Sequence, residues 1–117
     1  MKRISRSAFV SALKAVPRPS ANVQKFLAIH YDAPGRAATA TLLAKAAGYQ
    51  GYRGVNLQYG RLAKQIGAAL GLQDPGITTL VDCIGRRAVT NKDWLLIMHP
   101  EFAEALKLAG WVKSRRR

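Results

Sequence analysis

The sequence predicts a mostly helical α+β domain: helices first, two of them joined by a glycine-punctuated turn, then a β-hairpin and a final helix. Three observations lead there. From Phe9 to Leu70 the apolar residues recur at helical spacing, in segments broken by proline and glycine. After Asp74-Pro75-Gly76 the period shortens, and two β-rich runs follow, Thr78 to Ile84 and Asp93 to Met98. Pro100 then restarts a helical pattern that Gly110 closes. With 117 residues, of which 49% are hydrophobic, the chain has material for one core. The expected organisation is a single domain over residues 1–112 with a basic, flexible tail at 113–117.

The first helix is expected from residue 5 to 16, with Phe9, Ala12, Leu13 and Val16 as its apolar stripe, Ser5 or Ser7 as N-cap and Pro17 as its stop. Lys2, Arg3, Arg6 and Lys14 lie outside that stripe. Both a phosphate-gripping arm and an ordinary solvated face fit them. Ser20 caps a second helix, ANVQKFLAIHY, with Val23, Phe26, Leu27 and His30 or Tyr31 inward, and Asp32-Ala33-Pro34-Gly35 ends it. His30 reads as a partly buried scaffold residue, because no carboxylate or second histidine is spaced to orient it.

The stretch Thr39 to Leu72 organises the rest. Thr39 or Thr41 caps a short helix with Leu42, Leu43, Ala46 and Ala47 as its apolar positions, and Gly48 stands where a left-handed residue is needed. Tyr49-Gln50-Gly51-Tyr52 makes the bend. In the longer helix beyond it, Val55, Tyr59, Leu62, Ile66, Ala69 and Leu70 share one sector. Arg53, Asn56, Arg61 and Lys64 are expected to point the other way, and no acid occurs between Arg53 and Leu72. Gly54, Gly60 and Gly67 interrupt this helix at about 1 kcal/mol each relative to alanine, which implies close approach or irregularity there.

In the hairpin, the loop GRRAVTNK puts Arg86, Arg87 and Lys92 at a tip. In the last helix Glu101 and Glu104 favour the N-terminal dipole, Phe102, Ala105, Leu106 and Ala109 form the stripe, and Trp111 and Val112 pack back on the core.

Charge decides the kind of partner. The formal net charge is +13, from 19 Lys+Arg against 6 Asp+Glu, and Asp32 is the only acid before Asp74. Such an excess implies a polyanion. Cys83 is the only cysteine, so no intramolecular disulfide forms, and a cytoplasmic location is expected, associated with the nucleoid in a prokaryote. No apolar run approaches the roughly 20 residues of a membrane span. The acid-free, Arg- and Ser-bearing N-terminus also fits a mitochondrial transit peptide, although the same bias continues well past it. Catalytic and cofactor motifs are absent: no CxxC, HExxH, GxxxxGK[ST] or GxGxxG, and two histidines with one cysteine fall short of a zinc site. The expectation is a non-enzyme without cofactor or metal.

The order of elements, with TATLLAKAAG before a long basic helix, a hairpin and a closing helix, resembles the winged-helix, helix-turn-helix class of DNA-binding domains. Over about residues 39 to 111 it is similar to the DNA-binding half of DNA alkyltransferase proteins, where a TxxxLAxxAG-like helix precedes an Arg-bearing recognition helix. In that family the acceptor cysteine stands in a PCHR motif. Here Asp82-Cys83-Ile84-Gly85-Arg86 lacks its proline and histidine, so the resemblance implies the binding architecture without the alkyl-transfer chemistry. AGYQGYRGVNLQYGRL is also similar to segments of bacterial proteins with restriction-type nucleases, and no nuclease motif accompanies it.

The function expected is binding of double-stranded DNA in regulation, repair or restriction, with residues 53–64 in the major groove. Gln50, Tyr52, Arg53, Asn56 and Leu57 are the base-edge candidates; Thr39, Thr41, Lys45, Arg61, Lys64, Arg86, Arg87 and Lys92 are the phosphate candidates. Two alternatives stay open. One is a protein-interaction module whose basic surface meets an acidic partner; the other is RNA binding, with Tyr49 and Tyr52 stacking on unpaired bases.

Overall fold

A computed structural model describes residues 4–85 and 94–113. Among them are five α-helices and three short strands in the order α1 (Arg6–Ala15), α2 (Ala21–Asp32), β1 (Ala37–Thr39), α3 (Ala40–Ala47), α4 (Tyr52–Ala69), β2 (Val81–Ile84), β3 (Leu95–Met98) and α5 (Pro100–Leu108). The strands form one antiparallel sheet in the order β1-β3-β2. Ala37 faces Ile97 across one pair, and Val81 faces Met98 across the other.

Local chemistry sets most boundaries. The side chains of Ser5, Ser20 and Thr39 accept hydrogen bonds from the backbone N–H of Ala8, Val23 and Leu42, so each satisfies a donor that its helix start would otherwise leave open. Gly48 takes the left-handed conformation that ends α3 (φ 86°), and Gly110 does the same after α5 (φ 78°). The amide of Asn22 adds a further tie, donating to the Ala47 carbonyl at 2.8 Å and joining α2 to the end of α3. The first two helices and the last match their expected spans within a residue or two.

Three details differ from expectation. Strand β1 was not anticipated: Ala37-Ala38-Thr39 has little β propensity, and β3 makes it a strand by pairing with it. Thr78 and Thr79 belong to a single 3₁₀ turn, Ile77–Thr79, rather than to β2. In α3 the buried positions are Ala40, Leu43, Ala44 and Ala47, while Leu42 is 54% exposed and Ala46 faces solvent. The expected stripe was one position out of phase, because β1 delivers the chain to α3 with Ala40 already buried.

The core joins every layer. Phe9 of α1 meets Phe102 of α5 with ring centroids 5.4 Å apart, and Phe26 of α2 meets Tyr59 of α4 at 4.9 Å. At its centre His30 is wholly buried, not partly. Its Nδ1 lies 2.7 Å from the Tyr59 hydroxyl and its Nε2 2.8 Å from the Leu96 carbonyl. A carbonyl only accepts, so Nε2 carries the proton, Nδ1 accepts from the phenol, and one neutral imidazole bonds α2, α4 and β3 together.

A candidate nucleic-acid interface on helix α4

Helix α4 has two faces that its sequence spacing dictates. At about 100° per residue, Val55, Tyr59, Leu62 and Ile66 fall within about 60° of arc, and all four are buried. Arg53, Leu57, Arg61 and Lys64 fall within about 80° on the opposite side, and all four are exposed. The described acids are Asp32, Asp74, Asp82, Glu101 and Glu104, and none lies on α3 or α4. Glu104 pairs with Arg6 at 3.0 Å and Asp82 with His99 at 3.0 Å, both away from this helix. The outward row of α4 therefore carries cations with no carboxylate on its own helix or on α3 to offset them.

The turn into α4 is shaped by packing. Gly51, extended, precedes Tyr52, which is the first residue of the helix and not part of the bend. Tyr49 lies against Gly54, where a Cβ would sit 2.8 Å from its ring. Arg53 stacks near Tyr52, its Nε 3.5 Å from the phenol oxygen, and that contact raises the already high pKa of the guanidinium. Tyr49, Gln50, Gly51, Tyr52, Arg53 and Gly54 together line a shallow hollow at the helix N-terminus, with Gln50 and Arg53 exposed.

Not every expected site residue joins this surface. Asn56 turns away from the outward row. It is half-buried and faces the hairpin, lining a cavity with Cys83 and Trp94, because its angular position lies between the core sector and the cationic one. The hydroxyl of Thr39 is occupied as the cap of α3. Thr41 and Lys45 are exposed on α3. Arg86, Arg87 and Lys92, expected at the hairpin tip, lie outside the described residues, as do Lys2, Arg3 and the last four residues of the basic tail.

Cys83 is half-buried, and its thiol is pushed above the usual range by loss of solvent and then by the charge of Asp82. The thiolate is disfavoured there. The neighbouring His99 is already bonded to Asp82. Among the described residues no group of His, Cys, Asp and Glu is arranged to hold a metal ion, and no helix is long and apolar enough to cross a membrane.

The molecule is thus a compact α+β domain with a three-stranded antiparallel sheet and an exposed cationic face on α4. The chain matches no protein-family model, no curated protein and no solved structure.

Proposed function

We propose that this protein binds double-stranded DNA as a winged-helix domain, with α4 lying in the major groove. The observation that carries the reading is the outward row Arg53, Leu57, Arg61 and Lys64, cationic and without a single acid on α3 or α4. Topology supports it too. The order α2, β1, α3, α4, β2, β3, with β2 and β3 paired in an antiparallel sheet, is compatible with a helix-turn-helix followed by a β-hairpin.

In this reading Arg53, Gln50, Tyr52 and Leu57 at the N-terminal end of α4 reach base edges, since that end of a recognition helix enters the groove. Arginine pairs with guanine through two parallel N–H donors, and an apolar Leu57 meets thymine methyl groups. Arg61 and Lys64, two turns or more further on, and Lys45 of α3 hold phosphates. These three phosphate-holding cations would give an affinity that falls with salt at a logarithmic slope of about −2.7 if each neutralises one phosphate.

A second reading has its own observation. Leu42 and Leu57 are 54% and 55% exposed on α3 and α4, an apolar element that an acidic protein partner would also use.

Fluorescence anisotropy against a random duplex, the matching single strand and a structured RNA, each at two salt concentrations, separates the readings. Duplex preference that weakens steeply with salt is the expected result. Equal weak binding to all three that vanishes at physiological salt rejects the groove reading in favour of a protein partner.

A further inference from the structure

The cationic face does not account for the cavity beside it. Asn56, Gly60, Ile77, Cys83, Trp94 and Leu96 line a half-open cavity of about 270 Å³ between α4 and the β2–β3 hairpin. The lining is mostly apolar, and its polar group from α4 is the Asn56 side-chain amide. That amide makes no hydrogen bond within the described residues, although Asn56 is half-buried. One turn along the same helix, Gly60 opens the space: a Cβ there would meet nothing within 4 Å. On the hairpin side the Trp94 ring lies directly against Gly85, so that a Cβ at residue 85 would collide with the indole. The indole wall thus lies against backbone, while the wall at Gly60 is left bare.

We infer that this cavity is a binding site for a small planar molecule of one or two rings that carries an amide-like donor-acceptor edge, such as a heteroaromatic lactam or an arylamide. Size sets the first limit. An apolar cavity of about 150 Å³ holds one benzene ring, and 270 Å³ accommodates a fused pair. Chemistry sets the second. Ile77 and Leu96 supply apolar surface and Trp94 an aromatic one, which favours a flat ring. Asn56 offers an amide oxygen and an amide NH₂ on one edge, and an edge with adjacent acceptor and donor satisfies both at once. A ligand without that edge leaves a half-buried amide unpaired, which selects against plain hydrocarbons. The site does not depend on DNA binding, and its occupant would touch α4 on the flank next to Arg53 and Leu57.

Cys83 makes the test local, because it lines the cavity and is the only cysteine of the chain. The full-length protein, without DNA, is labelled with N-ethylmaleimide in the presence of benzamide, adenine or no addition, and the rate is followed by mass spectrometry. With a probe at ten times its Kd, labelling should slow about tenfold, since only the empty fraction reacts. Gly60→Leu fills the cavity and should abolish the protection; Asn56→Ala leaves the walls standing and should weaken it for both probes. Unchanged labelling of the wild-type protein at millimolar benzamide and adenine overturns the inference, as does protection that persists in both variants. Neither result bears on duplex affinity, so failure here and failure of the DNA reading are separable.

Discussion

Gly60 and Gly67 lie two turns apart on α4, and the same substitution at each should move stability in opposite directions. Both sit inside the helix, where alanine is preferred to glycine by about 0.8 to 1.0 kcal/mol through its smaller loss of backbone entropy. At Gly60 the new methyl enters open space, so Gly60→Ala should stabilise the protein by up to about 1 kcal/mol. At Gly67 it would overlap the Pro75 ring, which carries the Asp74-Pro75-Gly76 turn back across the helix. A proline ring has no rotamer with which to step aside, so the turn or the helix must move, and overpacking of this kind costs about 1 to 3 kcal/mol. After the propensity gain, Gly67→Ala should still be destabilising, and the two variants should differ by about 1 to 3 kcal/mol. Urea unfolding followed by circular dichroism measures both. If Gly67→Ala is as stable as Gly60→Ala, the Asp74-Pro75-Gly76 turn does not pack on α4 and the chain takes another route from α4 to β2.

Other consequences concern the buried histidine and the cationic row. Tyr59→Phe removes the donor to His30 Nδ1 and leaves that nitrogen buried without a partner, at about 1 to 3 kcal/mol in a denaturation midpoint; wild-type stability would refute the pairing. Burial holds the His30 pKa below its ordinary value, partly opposed by the Leu96 carbonyl, whereas in the unfolded chain it sits near 6.5. As pH falls through about 6.5 the unfolded state takes up a proton that the folded state refuses, so stability should fall at up to about 1.4 kcal/mol per pH unit until the folded-state pKa is reached. Urea midpoints that stay flat between pH 7.5 and 5.5 would contradict this. Arg53→Ala should reduce discrimination between selected and random duplexes by about 1 to 3 kcal/mol, read by competition anisotropy, and an unchanged ratio would remove Arg53 from the base edges.

The helices were legible in the sequence because their signals are local. Ser5, Ser20 and Thr39 cap where hydroxyls accept from the N–H three residues on, and Gly48 and Gly110 stop helices in the left-handed conformation that suits glycine. Most of the buried and exposed faces of α4 also followed from spacing alone, with Ala69, which reaches solvent at the helix end, and the half-buried Asn56 as exceptions. What escaped is non-local. Strand β1 exists because β3 lies alongside it, and Ala37-Ala38-Thr39 has no alternation to announce that. Spacing within α4 places Asn56 outward with Arg53, yet its position on the helix borders the hairpin, and nothing in one helix's sequence tells where a later hairpin will lie. His30 looked unpartnered because Tyr59 and Leu96 stand 29 and 66 residues away. The glycines stand out in the sequence of this helix, but only the fold shows that Tyr49 and Pro75 need the space at Gly54 and Gly67 and that Gly60 is open.

The most direct test of the proposed interface is the salt dependence of duplex binding by the wild-type protein and by the double variant Arg61→Ala with Lys64→Ala. Both residues are exposed on the outward row of α4 and distant from the core, so the variant should keep wild-type stability. If each neutralises one phosphate, the logarithmic slope should become less negative by about 1.8, with weaker binding to all duplexes alike. An unchanged slope with undiminished affinity would mean that this face of α4 does not meet DNA.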